Sequence, residues 1–142
     1  MRLFCTFVVM TLFCASAFAL SPDAIHQGQW VEVRGQFQEE DRFIAEKITL
    51  STPDDEAAIT GTIQKDAKGR FTILRHVIEF ESDVEFEGIR RKDVSDARVK
   101  VEGELTDIWE FTAEEVKSRG PGRDRIEGPV DELARVDGIV VF

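Results

Sequence analysis

The sequence predicts an all-β fold, with one complete small barrel and a second, incomplete barrel built from the two ends of the chain. Three observations carry this expectation. Apolar and polar residues alternate along most of the chain beyond residue 29, the period of a strand with one buried face. Segments recur at a fixed offset, the mark of a repeated structural unit. Short polar stretches with Gly or Pro separate the alternating runs, as turns should.

The repeat is read directly. Val31-Glu32-Val33-Arg34-Gly35-Gln36-Phe37 returns as Val99-Lys100-Val101-Glu102-Gly103-Glu104-Leu105, an offset of 68. At the same offset Phe43-Ile44-Ala45-Glu46-Lys47-Ile48 returns as Phe111-Thr112-Ala113-Glu114-Glu115-Val116. Ile59-Thr60-Gly61-Thr62-Ile63 matches Ile126-Glu127-Gly128-Pro129-Val130 at 67, and Gly69 to Ile73 matches Gly138 to Phe142 after two extra residues. The expected organisation is a half-repeat at 20–51, a complete repeat at 58–118 and a second half-repeat at 126–142.

Each element follows from its pattern. In Trp30 to Phe37, Val31, Val33 and Phe37 share one face, and Glu39-Glu40-Asp41 reads as the hairpin turn. Phe43 and Ala45 restart the inward face, but Ile48 follows Ala45 by three. That phase slip predicts a bulge near Glu46-Lys47, repeated at Glu114-Glu115. In the complete repeat, Ile59, Gly61 and Ile63 open the first strand, and Asp66-Ala67-Lys68-Gly69 is a turn. Phe71 to Leu74 is the second strand. Val77 to Phe80, extending toward Val84 and Phe86, is the third. Gly88 to Asp96 holds at most one helical turn. Arg98 to Leu105 and Trp109 to Val116 are the fourth and fifth strands. Ser51 to Glu56 and Ser118 to Arg125 are connectors.

Five short strands with a helical turn between the third and fourth make the OB arrangement, a partly open Greek-key barrel. A sandwich is the runner-up, though about 60 residues is small for one. The first half-repeat supplies strands four and five, and the last supplies strands one and two. Folding together within one chain is favoured by effective concentration. Pairing between chains would instead give an oligomer. Ending in mid-strand at Val140-Val141-Phe142 also fits a shortened relative of a longer tandem protein.

The strings Gly28-Gln29-Trp30-Val31-Glu32-Val33-Arg34-Gly35, Arg98-Val99-Lys100-Val101-Glu102-Gly103 and Phe111-Thr112-Ala113-Glu114-Glu115-Val116 resemble a recurrent bacterial repeat. It is similar to the domain-of-unknown-function family 5666, small OB-like β domains often found in tandem in exported proteins. Its pattern resembles Gly-x-Val-x-Val-x-Gly followed by Phe-x-Ala-x-x-Ile. The chain departs from it at Asp96-Ala97, where Gly-Asp is common, and at Arg75-His76, where a Gly often closes the second turn. The family has no established catalytic residues to carry over.

The N-terminus reads as an export signal. Arg2 is a short positive region, Leu3 to Leu12 is apolar, and Ala17-Phe18-Ala19 is the small-x-small pattern of signal-peptidase cleavage. Residues 1–19 are therefore expected to leave, giving a periplasmic or secreted chain. The apolar run is short of the ~20 residues that a spanning helix needs. Cys5 and Cys14 both lie in that leader, so the remainder would rely on its core rather than on disulfides. The net charge is −10, which disfavours nucleic acid and anionic lipid.

No motif names a reaction. His26 and His76 have no ligand-spaced neighbours, so no metal is expected, and His76 reads as solvated. Asp54-Asp55-Glu56 and Glu39-Glu40-Asp41 lack the spacing of a calcium loop. No Gly-x-Ser-x-Gly or phosphate loop occurs, so no catalytic residue and no cofactor are expected. The basic clusters Arg90-Arg91-Lys92 and Arg119, Arg123, Arg125 are diluted by Asp93, Asp96 and Asp124. The two tryptophans are the candidate contacts for a ligand or partner. Trp30 shares the outward parity of Glu32 and Arg34. Trp109 lies beside a turn, where it would cap a barrel end. The reading is an exported, non-catalytic binding or assembly module of the periplasm or cell envelope. A small-ligand or oligosaccharide binder at Trp109 and a carboxylate-dependent hydrolase are the alternatives.

Overall fold

The computed structural model describes residues 24–38, 42–54, 56–107, 109–130, 134–136 and 139–141. The leader at 1–19 and the turn at Glu39-Glu40-Asp41 lie outside the described residues. The strands are β1 (Trp30–Gln38), β2 (Arg42–Leu50), β3 (Ala57–Thr62), β4 (Gln64–Lys65), β5 (Phe71–Ile73) and β6 (His76–Glu87). After a 3-10 turn at Arg91–Asp93 come β7 (Arg98–Asp107), β8 (Glu110–Ser118), β9 (Asp124–Pro129), β10 (Ala134–Val136) and β11 (Ile139–Val141). The expected all-β class is what folds. Among the described residues no helix is long and apolar enough to cross a membrane.

One curled sheet runs in the order β2-β1-β9-β3-β7-β8-β6-β5-β4, and β10 pairs with β11 in a separate hairpin. The curl has a simple origin. β3 and β4 are one strand interrupted at Ile63. β3 pairs with β7 and β4 pairs with β5, so the hydrogen-bonded path from β3 through β7, β8, β6 and β5 returns to the same strand. The β6–β8 pair is parallel and the other pairs are antiparallel. At the bend, Ile63 N–H donates to the Ala97 carbonyl and Asp96 N–H donates to the Ile63 carbonyl, so its backbone groups stay satisfied. Inside the curl, Ile59, Ile63, Ile73, Ile78, Val94 and Phe111 form a core together with Val99, Val101, Ala113 and Val116. Apart from Ile63 at the bend and Val94 after the 3-10 turn, these are the alternate, inward residues of their strands.

The two ends of the chain meet and copy part of this frame. β1 pairs with β2 and with β9, as β7 pairs with β8 and with β3. The registers coincide. Val31 faces Gly128 and Val33 faces Ile126, just as Val99 faces Gly61 and Val101 faces Ile59. The linking turn is copied as well. Gly28 N–H donates to the Val130 carbonyl and Val130 N–H to the Gln29 carbonyl, the bonds that Asp96, Ile63 and Ala97 make in the complete unit. Gly28 and Asp96 both hold positive φ, at 84° and 63°. Gly adopts this conformation freely, and Asp is one of the few other residues that tolerates it.

The predicted bulges are present. The β1–β2 register shifts between Arg34 and Gly35, which leaves Glu46 unpaired, and the β7–β8 register shifts between Glu102 and Gly103, which leaves Glu114 unpaired. Glycine is required at both sites by close approach. A Cβ on Gly35 would lie 2.0 Å from the Ile44 carbonyl oxygen, and one on Gly103 2.1 Å from that of Thr112.

The second unit is thinner. Its core is Ile25, Val31, Val33, Ile48 and Val130, with Phe43 packed against it. The hairpin of β10 and β11 takes up the expected second-strand segment, of which Gly138 and Phe142 lie outside the described residues. It pairs within itself rather than extending the main sheet. No described strand takes the place that β6 fills beside β8. Phe111 and Ala113 are each 1% exposed, whereas Phe43 is half-buried and Ala45 is exposed.

Candidate functional site

The β5–β6 hairpin closes through two residues, Leu74 and Arg75, between the paired Ile73 and His76. Both have positive φ, 47° and 73°. A two-residue turn of this kind suits the twist of the strands but favours Asn and Gly. Leu and Arg there carry strain of order ~1–2 kcal/mol per residue. This is the position where the sequence lacked its expected Gly.

The strained turn assembles a small platform around Trp109, in the β7–β8 turn. The Arg75 guanidinium carbon lies 4.9 Å from the Trp109 ring centroid. The His76 imidazole lies 5.3 Å from the same ring, tilted by 54°. Val77 N–H donates to the Trp109 carbonyl at 2.7 Å, which ties the turn to β6. Trp109 nonetheless remains 48% exposed. The result is an indole with one cation against it, one packed imidazole and substantial open surface.

His76 corrects the sequence reading. It is buried, with 9% of its surface exposed, not solvated. As the first residue of β6 it packs beneath Trp109. Burial pushes its pKa below the ordinary value, while its hydrogen bonds to the Leu74 and Ile73 backbone act in the other direction without reversing the effect. Nδ1 lies 3.1 Å from the Leu74 carbonyl, so Nδ1–H is the donor and the neutral ring is held in one tautomer. No group of three His, Cys, Asp or Glu residues that would hold a metal ion occurs among the described residues.

The structure does not bring the two tryptophans together. Trp30 opens β1 opposite Pro129, at the repeat position of Arg98. It is half-buried, and its indole N–H is buried with no hydrogen-bond partner. Arg98 Nε shares that condition at the equivalent place. Arg98 also joins the units, since its Nη1 donates to Asp124 Oδ1 at 2.7 Å.

Folding also gathers charges whose grouping the linear sequence hides. Arg119, Arg123 and Arg125 line a groove of about 400 Å³ with Arg98 and Lys100, where Glu32 and Glu127 offset them. Arg123 pairs with Glu46 at 2.9 Å. A second groove, of about 530 Å³, is acidic. It includes Glu56, Glu81, Asp83, Glu85, Glu104 and Glu114. Shallow burial, then repulsion from Glu114, Glu102, Asp54 and Glu115, raises the pKa of Glu56. Beside this groove, burial would raise the Glu102 carboxyl, but hydrogen bonds from Lys100 and Lys117 outweigh it and bring the pKa down to about 2.

Fold and site together define a curled β module with an exposed aromatic platform. The family model described as Domain of unknown function (DUF5666) matches residues 15–49, which cover β1 and nearly all of β2. The chain is similar to that family over this stretch. Comparison with curated proteins and with solved structures returns no match.

Proposed function

We propose that this chain is an exported, non-catalytic binding module built from one OB-like unit and one open copy of it. It contacts its ligand through Trp109. The observation that carries this reading is the platform itself. Trp109 is 48% exposed beside a turn whose two residues hold unfavourable backbone angles. Strain of this kind concentrates at functional sites. An indole face with a neighbouring guanidinium suits a ligand that has an apolar face and polar edges, and an oligosaccharide fits that description. Export rests on Arg2, the apolar run Leu3 to Leu12 and Ala17-Phe18-Ala19. Mass spectrometry of the natively exported chain should find Leu20 as its first residue.

Fluorescence tests the site. Trp30 and Trp109 are the two tryptophans, so Trp30→Phe leaves Trp109 as the sole reporter. Titration with neutral and acidic oligosaccharides should quench or shift its emission saturably. A flat response across the series would remove the oligosaccharide reading, and turnover of any of those glycosides would favour the hydrolase alternative.

A further inference from the structure

The incomplete unit shows what it lacks, because the complete unit supplies a template in the same register. In the template, β6 runs parallel to β8 and places Ile78 beside Phe111, Phe80 beside Ala113 and Phe86 beside Val116. The matching residues of β2 are Phe43, Ala45 and Ile48. No described strand pairs with their free edge. The bulge at Glu46 is no obstacle. β8 has the same bulge at Glu114, and β6 crosses it with an irregularity of its own between Phe80 and Glu85.

Charge narrows the occupant. β6 alternates apolar residues with acids, through Glu79, Glu81, Asp83, Glu85 and Glu87. In the complete unit Glu85 sits beside Glu115, a pairing of like charges. In β2 the Glu115 position is Lys47, which is exposed. At this position the free edge suits a strand of β6's chemistry better than β8 does, whereas the Lys117 that lies beside Glu87 in the complete unit is Thr49 in β2.

We propose that the free edge of β2 takes a parallel strand from a partner polypeptide that alternates apolar and acidic side chains, in the place β6 occupies beside β8. A second copy of this chain is a poorer occupant. Its own β6 is locked in its core, with Ile78 3% exposed. Addition of a strand to an exposed sheet edge is an established mode of peptide recognition. This surface is on the incomplete unit, away from Trp109, so its failure would leave the oligosaccharide reading standing.

The test uses the full chain and a labelled peptide with the sequence of His76–Glu87. Fluorescence anisotropy should show saturable binding, and a scrambled peptide of the same composition should not bind. Ala45→Lys fills the position that Phe80 would cover, and should weaken binding at least tenfold while leaving the thermal midpoint near that of the parent. Lys47→Glu should weaken it several-fold and keeps the test decisive if Ala45→Lys does not fold. Absence of binding would overturn the proposal. So would binding indifferent to both substitutions, which would signal exchange into the complete unit. A dimer in sedimentation that Ala45→Lys dissolves would assign the edge to a second copy and overturn the partner strand.

Discussion

Ile59 of β3 lies directly opposite Ile126 of β9, and the two are the same residue of the repeat. Their neighbours pair symmetrically, Ala58 with Glu127 and Thr60 with Arg125. A local two-fold axis thus passes between the two isoleucines, and each unit presents its first strand to the other. This is the isologous contact of a symmetric dimer, made within one chain.

Equivalent position does not mean equivalent burial. Ile59 is 2% exposed, whereas Ile126 is half-buried, and among the described residues no strand pairs with β2 as β6 pairs with β8. Ile59→Ala should cost ~3–4 kcal/mol and Ile126→Ala only ~1–2 kcal/mol, because Ile126 withdraws less apolar surface from water. Urea denaturation of both variants checks this, and equal destabilisation would contradict the open second unit.

Gly103→Val should destabilise the chain by ~1–3 kcal/mol, because its side chain would drive into the Thr112 carbonyl at the bulge. Gly35→Val meets the Ile44 carbonyl in the same way. An unchanged denaturation midpoint in either variant would contradict the close approach.

Much of this fold was legible because its signals are local. The alternation of Val31 and Val33, or of Phe111 and Ala113, fixes an inward face, and the three-residue step from Ala45 to Ile48 marks a bulge. The β3–β9 seam was not legible, since period two shows which face a strand buries and not which strand lies beside it. The platform was half legible. Trp109 stood out as a residue next to a turn, but Arg75 and His76 carry no motif. They meet the indole only because Leu74 and Arg75 turn the chain tightly, and the same turn buries His76.

Arg75→Gly should relieve the strain at φ 73° and stabilise the chain by ~1 kcal/mol, while Leu74 keeps its packing against the core. It also removes the guanidinium from Trp109. Thermal melts should therefore rise while oligosaccharide quenching weakens. Quenching that is unchanged in the more stable variant would show that the strain serves no ligand.

Two acid windows follow from the shifted groups. The His76 pKa is lowered by burial, so on acidification the unfolded chain takes the proton first, and stability falls as pH drops below about 6.5. The Glu102 carboxyl is held at about 2 against an ordinary 4.5, so its contribution is present above 4.5 and is lost as pH falls toward 2. His76→Gln should flatten the upper window and Glu102→Gln the lower one in denaturation midpoints measured across pH. A slope unchanged by either substitution would contradict the corresponding burial or ion pair.

The central claim is that the two ends of the chain build one unit together. Hydrogen exchange on a chain lacking residues 126–142 tests it most directly. That deletion removes Ile126 to Pro129 of β9, the partners of Trp30 to Val33. Amides from Val31 to Ile48 should then lose most of their protection, while those of β7 and β8 retain theirs. Protection from Val31 to Ile48 that matches the full chain would contradict the shared second unit.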